Sequence, residues 1–411
     1  MSGKRGADLL RPPDSAGRAT FLELFFDLAF VVALTRVSQR FVELDGDTGW
    51  ALVNGLGRTL LLFLALWLVW SHTTWITSRY EPESAIIQAV VVGTMFAGLV
   101  MAVTLPRAME ERALPFAVAY LLVMVVRPLV IAAALRGHPR RLVAFRLSAW
   151  AALSAPIWLV GALGPERLRL PLWAIAVGID YLAWLLGWPL PRLGAAAVAH
   201  WRIAGTHLAD RYQQMFLIAL GESILVIGVV FSGQDYSAGR AAAFTVAFVT
   251  SALIWRIYFH RAGLLLTEAL GGAGQPARLG TALERTHLLI LLSVLLTSVS
   301  YELVIDDPFG APRPMWLLFV VGGPVLFLVA RLRLEYEVFG RISRSRLIGL
   351  VILLLGAPLL IRWPPMVGLC AVAGVLALVA VLDALGSRRS APQVPTPPGG
   401  RETPGGRDFE A

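Results

Sequence analysis

The sequence predicts an all-α polytopic membrane protein, with about twelve transmembrane helices in two parallel six-helix repeats. Three observations carry this reading. Of the 411 residues, 57% are hydrophobic and only 15% charged, against about 25% charged in an ordinary soluble domain, and mean hydropathy is +0.69. The apolar residues gather into twelve stretches of membrane-crossing length. Proline and acidic landmarks recur at a nearly constant separation. The composition excludes a water-soluble globular enzyme and, away from the chain ends, a disordered protein.

About 20 mostly apolar residues carry a helix across the hydrocarbon core. The stretches are 20–41, 57–78, 84–105, 114–135, 144–163, 170–190, 212–231, 241–260, 285–304, 315–333, 346–362 and 366–385. They divide the chain into an N-terminal tail (1–19), a first six-helix repeat (20–190), a connector (191–211), a second repeat (212–385) and a C-terminal tail (386–411). The last tail, rich in Pro, Gly, Arg and Ser, reads as disordered. No separate soluble domain fits between the spans.

Positive charge orients the spans. Lys4 is the only lysine among the 36 basic residues. With the N-terminus inside, the inner segments hold most of the loop arginines, such as Arg5, Arg11, Arg18, Arg136, Arg140, Arg141, Arg341 and Arg344. The outer loops hold few: Arg107, Arg112, Arg167, Arg169, Arg240 and Arg313. The asymmetry predicts both termini cytoplasmic and, with no cleavable leader at 1–19, a multi-pass protein of the bacterial inner membrane. The net charge of +9 is spread between apolar segments, so a lipid bilayer rather than nucleic acid is the expected partner. Oligomeric state is not legible.

The halves can be superposed in sequence. Leu153-Ser154-Ala155-Pro156 resembles Leu355-Gly356-Ala357-Pro358, Pro128 matches Pro324, Pro106 matches Pro308, and Glu23 matches Glu222; the separations are 202, 196, 202 and 199 residues. An even number of spans per half gives both halves the same orientation, with an axis along the membrane normal. Transporters are often built so, with their sites between the halves.

Ionisable groups inside a membrane need a reason to be there. In the first span Glu23 and Asp27 are four apart and share a helix face. Thr20-x-x-Glu23 also reads as a capping box, whereas Asp27 lies deeper and reads as a functional or ion-paired acid. In the seventh span Glu222 falls near mid-membrane with no local charge to neutralise it, and Gly221 beside it offers a close approach to another helix. His207, Asp210 and Arg211 stand three and four apart just before that span, as a functional group or an interfacial charge cluster. Arg211 is too far along the helix to pair with Glu222.

In the second span His72, Trp75 and Arg79 form a stripe; the tryptophans and Arg79 fit an interfacial belt, and His72 fits either a proton relay or a hydrogen-bonded structural role. Arg127 and Asp180, both near mid-membrane, are candidates for a structural ion pair. Ser293, Thr297, Ser300 and Tyr301 share one face of the ninth span and suit helix-to-helix hydrogen bonding or a polar pathway.

Two motifs carry a resemblance. Glu23-Leu24-Phe25-Phe26-Asp27-Leu28-Ala29-Phe30-Val31, followed by His207-x-x-Asp210-Arg211 and Leu220-Gly221-Glu222-Ser223-Ile224, is similar to the signatures of the bacterial low temperature requirement A (LtrA) family. The likeness runs from about residue 18 to 385. Many members carry Glu where Asp210 stands. The resemblance implies a polytopic inner-membrane protein; it brings no catalytic residues, cofactor or settled activity.

Function therefore rests on the buried acids. The leading reading is a transporter or ion pathway in which Asp27 and Glu222 bind a proton or small cation, with Glu23, His72, His207, Asp210 and Arg211 as further candidates. A membrane-embedded enzyme acting on lipid is the alternative, but the six histidines have no HExxH spacing, Cys370 is the only cysteine, and Gly221-Glu222-Ser223 is not a nucleophile elbow. No metal or cofactor is expected. A membrane sensor or scaffold is the third reading, with little chain outside the bilayer to carry an output.

Overall fold

The computed structural model describes residues 9–11, 18–196, 203–388 and 394–397. Twelve long helices form among them, and no strand. They are α1 (Phe21–Val42), α2 (Gly49–Thr77), α3 (Ala85–Thr104), α4 (Ala113–Ala134), α5 (Arg141–Leu163), α6 (Glu166–Leu186), α7 (Gly205–Ser232), α8 (Ala238–Tyr258), α9 (Pro276–Asp306), α10 (Gly322–Phe339, after a short Pro314–Val320 turn of helix), α11 (Arg344–Leu360) and α12 (Pro365–Arg388). Ten are long and apolar enough to cross a membrane. The other two fall short for local reasons: α1 carries Glu23, Asp27, Arg36 and Arg40, and α11 has 17 residues.

Each helix matches an expected span, but several start earlier. α2 begins at Gly49, α7 at Gly205 and α9 at Pro276. An apolar stretch stops at the first polar residues, whereas α7 continues through the buried His207 and Arg211 and α9 through the buried Glu284. His207 and Arg211 thus belong to α7 and not to a connector.

Local chemistry sets the ends and breaks. Thr20 and Glu23 make the reciprocal capping box at α1. Gly187 and Gly340 close α6 and α10 with φ of 71° and 66°, the left-handed conformation glycine adopts without strain. α4 is interrupted by a wider π turn at Leu122–Val126, just before Pro128, and α10 is broken at Val321, just before Pro324. Pro156 and Pro358 sit inside α5 and α11. Past Tyr258, α8 unwinds through Phe259–Gly263, with Arg261 at φ 51°, before a short helix Leu266–Gly271.

In the first half, α1 packs on α2 and α3, α2 on α3 and α6, α3 on α4, α4 on α5, and α5 on α6. In the second, α7 packs on α8 and α9, α8 on α9 and α12, α9 on α10, α10 on α11, and α11 on α12. The halves meet where α1 lies against α7 and α9. Large apolar side chains such as Phe25, Leu28, Leu163, Val229, Leu355 and Leu359 face outward, while arginines and carboxylates are buried. That is the polarity of a protein dissolved in lipid.

The tails also hold structure. Leu9–Arg11 lies across the end of α2, with Leu10 bridged to Tyr80 and the Arg11 amide donating to Arg79. Thr396 donates to Val338 and Phe339 at the end of α10. The expectation of a disordered C-terminal tail fails at 386–388, which continue α12, and at this contact; residues 389–393 and 398–411 lie outside the described residues.

Candidate functional site

Three polar constellations occupy the bundle. The first joins α1 to α7 at the end of the bundle where both helices begin. Glu23 faces His207, and Asp27 faces Arg211, each pair separated by 184 residues in sequence. Ser38, another eleven residues along α1, is a polar neighbour of Glu222, again 184 residues away. A constant separation at three levels means that α1 and α7 run parallel and in register.

Arg211 donates to both oxygens of Asp27, 2.6 Å each, a two-bonded guanidinium–carboxylate pair with neither side chain exposed. The indole of Trp70 donates to Asp27 Oδ1 at 2.9 Å. Glu23 holds the α1 cap and lies 3.0 Å from His207 Nε2, whose other ring nitrogen meets Ser78 at 3.0 Å. Glu23 therefore combines the capping and charge-pair roles that the sequence left as alternatives. Asp210 turns outward, accepting from the Ala19 amide and from Gln214.

The second constellation surrounds Glu222. Its carboxylate is fully buried, and no protein group meets either oxygen in hydrogen-bonding geometry. Ser38 of α1 and Ser298 of α9 are its polar neighbours, and their hydroxyls are also without partners. Eleven residues along parallel helices separate this site from Asp27, about 16 Å. The match of Glu23 with Glu222 fails in space: Glu23 is at the start of α1, whereas Glu222 is far inside α7, level with Ser38. Asp27 and Glu222 are separate sites. Gly221 gives no close helix approach, because a Cβ there meets nothing within 4 Å.

The third lies within the first half. His72, Arg127 and Asp180 line one side of a cleft between α2, α4, α5 and α6. The expected Arg127–Asp180 ion pair does not form. Asp180 instead accepts from Tyr120 at 2.7 Å and Ser154 at 2.8 Å, and Arg127 donates to Thr73 at 2.6 Å. Nor is the end of α2 an interfacial belt: every residue from Ala65 to Thr77 is buried, because this half of the helix runs through the bundle. On α9, the hydroxyls of Ser293, Thr297 and Ser300 bond to their own helix backbone, and Tyr301 alone of the four bonds across, to Ser251.

Several buried groups were not singled out in the sequence. Glu284 accepts from Ser71 and, at 2.8 Å, from Trp75. His287 is stacked on Tyr212 and bonded to Tyr258 at 2.9 Å. Arg346 pairs with Glu335 and Asp383, and Arg331 donates to the Ile257 and His260 carbonyls where α8 unwinds. Most stand at the ends of the apolar stretches, where charge reads as loop. The signal for Glu284 and His287 was their spacing of three, ahead of an apolar run.

The chain matches the family Bacterial low temperature requirement A protein (LtrA) over residues 18–381. It belongs to the LtrA family. The match takes in all three constellations and leaves out residues 1–17 and 382–411. An uncharacterised protein of Rhizobium meliloti (strain 1021) is 33% identical over 314 residues, covering 76% of this chain and 75% of that one. No solved structure matches the LtrA chain. The chain is thus a multi-pass membrane protein of the LtrA family, and its activity has to be argued from the buried groups.

Proposed function

We propose that this LtrA protein is an ion-coupled transporter or ion pathway in which Glu222 takes up a proton or small cation. The observation that carries the proposal is the Glu222 carboxylate itself, fully buried with no ion-pair partner and only the Ser38 and Ser298 hydroxyls beside it. A buried acid without a partner is costly and is kept in membranes where charge is bound or relayed. Glu23–His207 and Asp27–Arg211 close the α1–α7 contact between Glu222 and the end of the bundle where these helices begin. Asp27 then belongs to the closure rather than to the ion site.

The two halves, α1–α6 and α7–α12, are proposed as parallel repeats that rock about the α1–α7 contact. Support comes from the identical order of neighbours in each half, from the parallel, in-register α1 and α7, and from the paired breaks at Pro128 and Pro324 and helix-internal Pro156 and Pro358. The end where α1 begins is proposed as cytoplasmic, on the distribution of arginine.

The test is flux in liposomes holding the purified chain, under an imposed pH or sodium gradient and voltage. Protein-dependent flux that disappears in a folded Glu222→Gln variant is expected. Undiminished flux in that variant overturns the assignment of Glu222.

A further inference from the structure

The first-half cleft has the makings of a ligand site. Two adjoining hollows share His72, Pro128, Leu147 and Trp188. The larger one reaches Arg79 and Tyr80 at the end of α2, and His72 is two helical turns deeper, about 10 Å. Its walls are apolar and flat: Trp75, Trp184 and Trp188 with Pro128 and Leu147. The inner hollow ends on Arg127 and Asp180.

The charges at that inner end are unequal in how they are met. Each Asp180 oxygen already accepts a hydroxyl proton, from Tyr120 or from Ser154. Arg127 has only the neutral hydroxyl of Thr73. Its Nε is buried without a partner, as is Nε2 of the neighbouring His72. No carboxylate among the described residues lies within ion-pair distance of Arg127. A guanidinium stays charged in a protein, and a buried charge without a counter-ion is strongly unfavourable. Arg127 and His72 both line the cleft, so a counter-ion can approach the Arg127 guanidinium through it.

We propose that this cleft binds a small organic carboxylate with a flat apolar body. The carboxylate meets the Arg127 guanidinium beside His72, and the body lies between Trp75, Trp184 and Trp188. Such sites are apolar with a few convergent polar groups that fix orientation, and a carboxylate is the planar acceptor that matches guanidinium. The site is distinct from Glu222 and does not depend on the ion-pathway reading.

The test is binding, not flux, so the two readings fail separately. Calorimetric titration of the full chain in nanodiscs, with empty nanodiscs as blank, would use 3-phenylpropanoate, phenylalanine, 3-phenylpropanol and phenethylamine. The expected result is saturable binding of one or both carboxylates and none of the alcohol or amine. Phenylalanine binding more tightly than 3-phenylpropanoate adds Asp180 as partner of the ammonium and still requires the carboxylate. Arg127→Gln, which keeps a donor for Thr73, should weaken binding roughly tenfold or more. Leu147→Trp, which fills the cleft without touching a charge, should abolish it and covers the case in which Arg127→Gln does not fold. Binding of the amine or alcohol in place of the carboxylates, no binding of any probe, or carboxylate binding unchanged in the folded variants overturns the proposal.

Discussion

Asp27 and Arg211 form a buried, two-bonded ion pair that ties the first half of the molecule to the second, with both N–O distances at 2.6 Å. Trp70 adds a third hydrogen bond to the same carboxylate. Removing one partner leaves the other charge buried and unmet, which costs about 3–5 kcal/mol. Asp27→Asn and Arg211→Gln should each lower stability by that order, and the double variant should lose less than the sum. Unfolding in mixed micelles checks this; additive losses would sink the pairing as an energetic unit.

Glu222 should respond in the opposite way. No cation pairs with its carboxylate and only the Ser38 and Ser298 hydroxyls stand beside it, so Glu222→Gln breaks no ion pair and should change stability by less than about 1 kcal/mol. The same unfolding measurement, beside Arg211→Gln, separates a functional acid from a structural one. A loss of several kcal/mol at Glu222 would make it part of the scaffold.

Helix approach makes a third prediction. A Cβ on Gly323 would stand 2.6 Å from Thr297 Oγ1 and 2.8 Å from the Thr297 amide nitrogen, where α10 crosses α9. Backbone cannot yield as a flexible side chain does, so Gly323→Ala should cost about 1–3 kcal/mol. Gly221→Ala, with nothing within 4 Å, should stabilise by roughly 0.5–1 kcal/mol through helix propensity. Thermal melts of the two variants in one detergent test the contrast, and equal effects would contradict the packing described.

Topology can be read with one reagent, because Lys4 is the only lysine. A membrane-impermeant amine-reactive dye should label the chain in inverted vesicles and spare it in intact spheroplasts, if the end where α1 begins is cytoplasmic. Labelling in spheroplasts would reverse the orientation and the proposed direction of the arginine bias.

What could be read before folding was what each segment does alone. Apolar length marked all twelve helices, because a helix in lipid satisfies its own backbone and needs no partner to be recognised. Glu23, Asp27, His207, Arg211 and Glu222 stood out because ionisable groups are rare among apolar residues. The capping box at Thr20 and Glu23 was equally local. Partnership was not local. Asp27 reaches Arg211 across 184 residues, Arg127 and Asp180 border one cleft without pairing, and Trp70 and Trp75 point at carboxylates and not at the membrane surface. Glu284 stands one residue before the ninth stretch, because charge ends an apolar stretch but does not end a helix whose flank is buried. The sequence by itself determined that this chain is a membrane bundle and that Glu23, Asp27 and Glu222 stand inside it. Only the tertiary structure decided which of them are neutralised by an arginine and which one is left without a partner, because that depends on the register and facing of helices far apart in the chain.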